Sequence, residues 1–81
     1  MVYLYVIRSE KNNHLYVGIT KDVAKRIKQH NSGFNRYTKG LMPWVLVYTE
    51  EFADWTTARE KEKYYKSGSG KENLKNLLRY L

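Results

Sequence analysis

Five side chains in this sequence are of the types that phosphodiester hydrolysis requires: Tyr5, Tyr16, Arg26, His30 and Glu62. An arginine pairs with phosphate through parallel N–H bonds and neutralises charge that grows in the transition state. A lone carboxylate, here Glu62, can share one Mg²⁺ (or Mn²⁺) with a phosphate oxygen, the ion keeping most of its water. A tyrosine can place an attacking water or take its proton. A free phenol of pKa ~10 is ionised only about one part in a thousand at pH 7. Using it as a base therefore costs roughly 4 kcal/mol unless neighbours lower its pKa. His30 titrates near neutrality and can take the proton instead, leaving Tyr16 to orient the water. Both routes stay open at the level of sequence. No cysteine, Ser-His-Asp set or His-x-x-x-His pair is present, which removes thiolate, serine-triad and most zinc schemes.

The stretch Tyr16–His30 gathers three of these groups. Its first half alternates like a strand, with Tyr16 and Gly18 on one face and Leu15, Val17 and Ile19 on the other. Its second half has helical spacing through Val23 and Ile27, which places Arg26 and His30 on a common face one turn apart. Thr20 is the expected N-cap, with Asp22 in the first turn. Gly18 is read as space beside the phenol into which a nucleic-acid backbone fits.

Val2–Ile7 is apolar or aromatic on both faces, the pattern of a covered central strand. The short polar link Glu10–His14 makes it an antiparallel hairpin with 15–19, bringing Tyr5 and Tyr16 to one face. Asn31-Ser32-Gly33 ends the first helix, with Gly33 suited to a left-handed cap. Phe34–Pro43 reads as a basic surface loop, and Trp44–Thr49 as a third strand with Trp44, Leu46 and Tyr48 on one face. A second helix is expected from Thr56 or Thr57 to Tyr65. At about 100° per residue Glu62 falls roughly 40° from Ala58, facing the core, and Glu60 falls on the far side. An inward carboxylate needs a metal or a cationic side chain as partner. Ser67-Gly-Ser-Gly reads as a hinge, since it lacks the spacing and the preceding strand of a phosphate loop. Leu74, Leu77, Leu78 and Leu81 mark a terminal amphipathic helix.

Eighty-one residues leave room for one small domain, 1–81. A net charge of +7 and eight tyrosines favour a polyanionic partner over a neutral one. Lys21, Lys25, Arg36 and Lys39 are placed to track a phosphate backbone. No apolar run approaches the ~20 residues of a membrane span, so a cytoplasmic protein without membrane or small-molecule cofactor is expected.

The order Tyr3-Leu4-Tyr5, Tyr16-Val17-Gly18, Arg26 with His30-Asn31-Ser32-Gly33, Trp44 to Phe52, and Glu62 with Lys63 and Lys66 resembles the GIY-YIG nuclease superfamily. The nearest branch is its small, stand-alone, single-domain one, and the likeness runs through essentially the whole chain. It implies an α/β (α+β) fold: a three-stranded antiparallel sheet flanked by helices in the order β-β-α-β-α-α. It also implies hydrolysis of DNA, with RNA as a further possible substrate, by a single Mg²⁺. In that likeness the family's two tyrosines fall on Tyr5 and Tyr16, its arginine on Arg26, the residue one turn later on His30, and its metal-binding glutamate on Glu62. The sequence departs from the pattern at Tyr3, where the family has glycine. It departs again at Ile19, where some members carry a lysine that Lys21 would replace. The expected activity is a weak, metal-dependent DNA endonuclease directed by DNA structure. The rival readings are a non-catalytic nucleic-acid-binding module and a component of a larger DNA-repair assembly.

Overall fold

Both faces of the first strand are apolar, and the fold follows from the need to cover each of them. The computed structural model describes residues 1–80. The elements are β1 (Val2–Ser9), β2 (Leu15–Thr20), α1 (Val23–Asn31), a 3₁₀ turn (Lys39–Leu41), β3 (Trp44–Phe52), α2 (Trp55–Lys66) and α3 (Gly68–Arg79). The strands form one sheet in the order β2-β1-β3 with both pairings antiparallel, the architecture expected from the sequence. Central β1 sends Leu4 and Val6 to one face, where they meet Val17, Tyr65 of α2 and Leu74 of α3. It sends Tyr5 and Ile7 to the other, against Trp44 with Val23 and Ile27 of α1 at the margin. Leu4 and Ile7 are wholly buried, each stabilising the fold by about 1.5–3 kcal/mol.

The third strand departs from simple alternation. Val6 pairs with Tyr48 but the next residue, Ile7, pairs with Leu46, so Val47 is an extra residue in β3. Such a bulge reverses which face the later residues occupy. Trp44 therefore packs beside Tyr5, whereas Tyr48 lies with Leu4 and Val6 on the opposite face.

The helix starts also differ from expectation, for one electrostatic reason. Asp22 caps α1, accepting from the Lys25 N–H at 3.0 Å. Asp54 caps α2, accepting from both the N–H and the hydroxyl of Thr57 at 2.8 and 2.9 Å. A carboxylate answers the positive end of the helix better than a threonine hydroxyl does. Thr20 instead accepts from the Asp22 N–H, bracing the approach to the cap. The other end of α1 is as expected: Gly33 has φ +78°, and the Phe34 N–H returns to the Gln29 carbonyl.

Ser67-Gly-Ser-Gly is a corner, not a hinge. Ser67 alone separates α2 from α3, and its hydroxyl oxygen accepts from the Gly70 N–H to cap α3. Any Cβ on Gly70 would run into the Tyr64 carbonyl, so the two helices cross at backbone contact. Leu74, Leu77 and Leu78 of α3 join the core; Leu81 lies outside the described residues. Among those residues no helix is long and apolar enough to cross a membrane.

Candidate active site

The face carrying Tyr5 and Tyr16 is where the five candidates meet. Tyr5 sits in the middle of the central strand, 1% exposed, and its hydroxyl lies 2.8 Å from His30 Nε2. The other ring nitrogen, Nδ1, lies 2.8 Å from the Thr38 hydroxyl oxygen. The Thr38 hydroxyl donates onward to the Asn35 carbonyl at 3.4 Å. With the Thr38 proton placed on that carbonyl, the other two bonds take one direction each. His30 donates through Nδ1–H to Thr38, and its bare Nε2 accepts the Tyr5 phenol proton. His30 and Thr38 are completely buried, so the chain Tyr5–His30–Thr38 runs inward from the site.

Burial explains the titration of this chain. Desolvation, with the Arg26 guanidinium second, holds the His30 pKa below its ordinary value, so the ring is neutral at pH 7. Desolvation also pushes the Tyr5 phenol up to about 12; Arg26 opposes this, while Tyr16 and Glu62 add to it. His30 has consequences for stability. Its folded pKa lies below the unfolded value of 6.5, so the unfolded chain binds the extra proton first as pH falls. His30 thus stabilises the fold above pH 6.5, and that stability is lost as pH falls from there through the folded pKa. Urea midpoints between pH 7.5 and 5 are expected to fall in the wild type. A His30→Gln variant is expected to lack that part of the slope.

The remaining groups close around this chain. Arg26, partly buried on α1, is held by its neighbour one turn on, donating from Nη1 to Gln29 Oε1 at 2.9 Å. Tyr16 stands edge-on to His30 with centroids 5.0 Å apart, and 6.5 Å from Tyr5. Glu62 faces inward as its helical angle predicts, its side chain 16% exposed, and accepts from Lys66 Nζ at 3.2 Å. That ammonium lies 5.5 Å from the centre of the Tyr16 ring, so α2 delivers the acid to the tyrosine side of the sheet. Glu60 is exposed. Lys21, Lys25, Arg36 and Lys39 are exposed.

Gly18 serves the site differently from the sequence reading. It is buried, and a Cβ there would run into the Tyr5 hydroxyl and come within 2.8 Å of ring carbon Cε1. The space beside Gly18 is filled by the phenol itself rather than open to a nucleic-acid strand. Thr38 and Gln29 are the residues that sequence reasoning missed. Thr38 lies in a stretch whose basic composition reads as surface loop, yet its carbonyl accepts from Trp44 Nε1 at 2.9 Å. Asn31 binds the Trp44 backbone at both N–H and carbonyl, 2.6 and 2.9 Å. A Trp that must hydrogen-bond when buried was the available signal for this tie.

Residues 1–76 match the GIY-YIG catalytic domain. The chain belongs to the GIY-YIG family. This GIY-YIG domain is 40% identical over 74 residues to a UPF0213 protein of Staphylococcus haemolyticus, covering 90% of this chain and 89% of that one. It is 39% identical over 75 residues to a UPF0213 protein of Clostridium perfringens, covering 91% and 80%. The solution NMR structure of a UPF0213 protein from Bacillus halodurans superposes with a TM-score of 0.58 at 37% identity, covering 95% of this chain and 85% of that one. The family is one of nucleases, and the GIY-YIG fold with its nucleic-acid substrate class applies here.

A divalent ion is the cofactor class for such a domain. Among the described residues no group of three or more His, Cys, Asp or Glu could enclose an ion, so a closed zinc-type site does not fit. A single shielded carboxylate, its one ion-pair partner among the described residues being Lys66, does fit a hard ion that takes its other ligands from water and phosphate.

Proposed function

We propose that this GIY-YIG domain is a Mg²⁺-dependent endonuclease that hydrolyses DNA phosphodiester bonds and selects by DNA structure. The observation that carries the reading is the buried Tyr5–His30–Thr38 chain opening beside Tyr16, with Arg26 and Glu62 flanking it. Arg26 binds the scissile phosphate and offsets the charge that builds on its oxygens. Glu62 would hold the ion, whose chemistry is to polarise the phosphate and favour the leaving oxygen. Tyr16, the partly exposed phenol, holds the attacking water. The water's proton passes to the Tyr5 oxygen as the Tyr5 proton passes to His30 Nε2. The imidazole is neutral at pH 7 with Nε2 in reach of that proton, and no free phenolate at roughly 4 kcal/mol has to form. Lys21, Lys25, Arg36 and Lys39 follow the backbone without reading bases, which favours structure over sequence.

The test is nicking of supercoiled and branched DNA, with branched RNA beside it. EDTA should abolish cleavage and Mg²⁺ or Mn²⁺ restore it. Glu62→Ala, with an unchanged circular dichroism spectrum, should lose at least about 100-fold in rate. Full activity in EDTA, or in the Glu62→Ala variant, removes the metal from the reading. DNA binding with no cleavage under any ion leaves a binding module.

A further inference from the structure

On the opposite face of the sheet, the end of α3 does not close down on the hairpin end of β1 and β2. A groove of about 870 Å³ lies between them. Its floor is apolar, from Leu15, Val47 and Leu78, and four cations, Arg8, Lys71, Lys75 and Arg79, line it. No Asp or Glu is among the described residues of its lining, and none of the four cations forms an ion pair with another described residue. Four unpaired positive charges along an apolar trough suit a flexible polyanion with flat faces, in which phosphates meet the cations and bases lie on the floor. A duplex offers no exposed base face to that floor. The groove is also joined to the site. Tyr37, 78% exposed, lines it, and the same ring stands 5.8 Å from Tyr16.

We propose that this groove binds the single-stranded segment that leads away from the cleaved phosphate, with Tyr37 as the stacking step between site and groove. The substrate class is therefore DNA with an unpaired strand next to a duplex, rather than continuous duplex. This rests on the nuclease reading, but its test is a binding measurement that needs no cleavage.

The probe is a fluorescent 12-nucleotide oligothymidine, titrated in EDTA into the Glu62→Ala protein and into the same protein carrying Lys71→Ala and Lys75→Ala. Losing two phosphate contacts should lower the slope of log K against log salt by about 1.4, equivalent to about 25-fold in affinity at 0.1 M salt. Tyr37→Ala should cost at least about fivefold by removing one stacked base. Amide resonances of Lys71, Lys75 and Arg79 should move on titration. An unchanged slope, or shifts confined to the Tyr16 and Arg26 face, overturns the proposal even if the domain cleaves DNA. The same holds if vesicles of anionic lipid shift these resonances and the oligonucleotide does not. Loss of binding in the double variant upholds the groove even if no cleavage is ever seen.

Discussion

Arg26→Ala is expected to lower the cleavage rate by about three orders of magnitude, with little change in stability. Arginines that stabilise charge on a transferring phosphoryl group contribute 10³–10⁵ in rate. Here the residue is partly buried, so its fields are weakly screened. Its loss also changes the groups beside it. The guanidinium lowers the pKa of both His30 and Tyr5, so its removal raises both. The acid limb of the pH–rate profile, which reports His30 becoming protonated, should therefore move to higher pH in Arg26→Ala. Arg26→Lys restores a charge but not the planar fork, and should recover only a small part of the rate. Single-turnover nicking across pH 5.5–8.5 measures both effects. A variant within tenfold of wild type would place phosphate binding elsewhere.

His30→Ala is expected to be the most destabilising single change at the site, by about 3–4 kcal/mol. It removes a fully buried ring, leaves a cavity, takes the partner of the buried Tyr5 hydroxyl and leaves the Thr38 hydroxyl with only the Asn35 carbonyl. For an 81-residue domain whose total stability is of order 4–12 kcal/mol, that is a large share. Thr38→Val keeps the volume and removes the acceptor of Nδ1–H together with the long bond to the Asn35 carbonyl, so about 1–3 kcal/mol is expected. Tyr5→Phe should fall in the same range, since it unpairs Nε2 alone. Urea unfolding with a common m-value gives all three. If His30→Ala is no worse than Thr38→Val, the inward chain does not hold this face together.

The sequence and the structure agree where a residue's role is set by its nearest neighbours along the chain. The two-faced β1, the hairpin, the shared helix face of Arg26 and His30, and the inward turn of Glu62 all follow from periods of 2 and 3.6. Gly33 follows from the need for a positive φ. What could not be read depends on contacts between distant segments. The bulge at Val47 arises from pairing with β1 and leaves no local mark. Thr38 and Trp44 each look ordinary in their own segments, and their roles come from His30 and Asn31 on α1. The caps show a different limit: Thr20 and Asp22 are both cap formers two residues apart, and the charge at the positive end of α1 decides for the carboxylate. Gly18 is legible as a close approach, but which atoms approach is set by the partner strand.

The backbone contact at Gly70 leaves α2 and α3 no freedom to swivel at Ser67. Glu62 rides on one arm of that elbow, and Lys71 and Lys75 on the other. On the proposed readings the molecule thus carries a built-in ruler: the interval from the acid that would hold the ion to the groove lysines is set by a glycine that belongs to neither site. A methyl group there would reset that interval, displacing the position of the cut along a strand rather than merely slowing it.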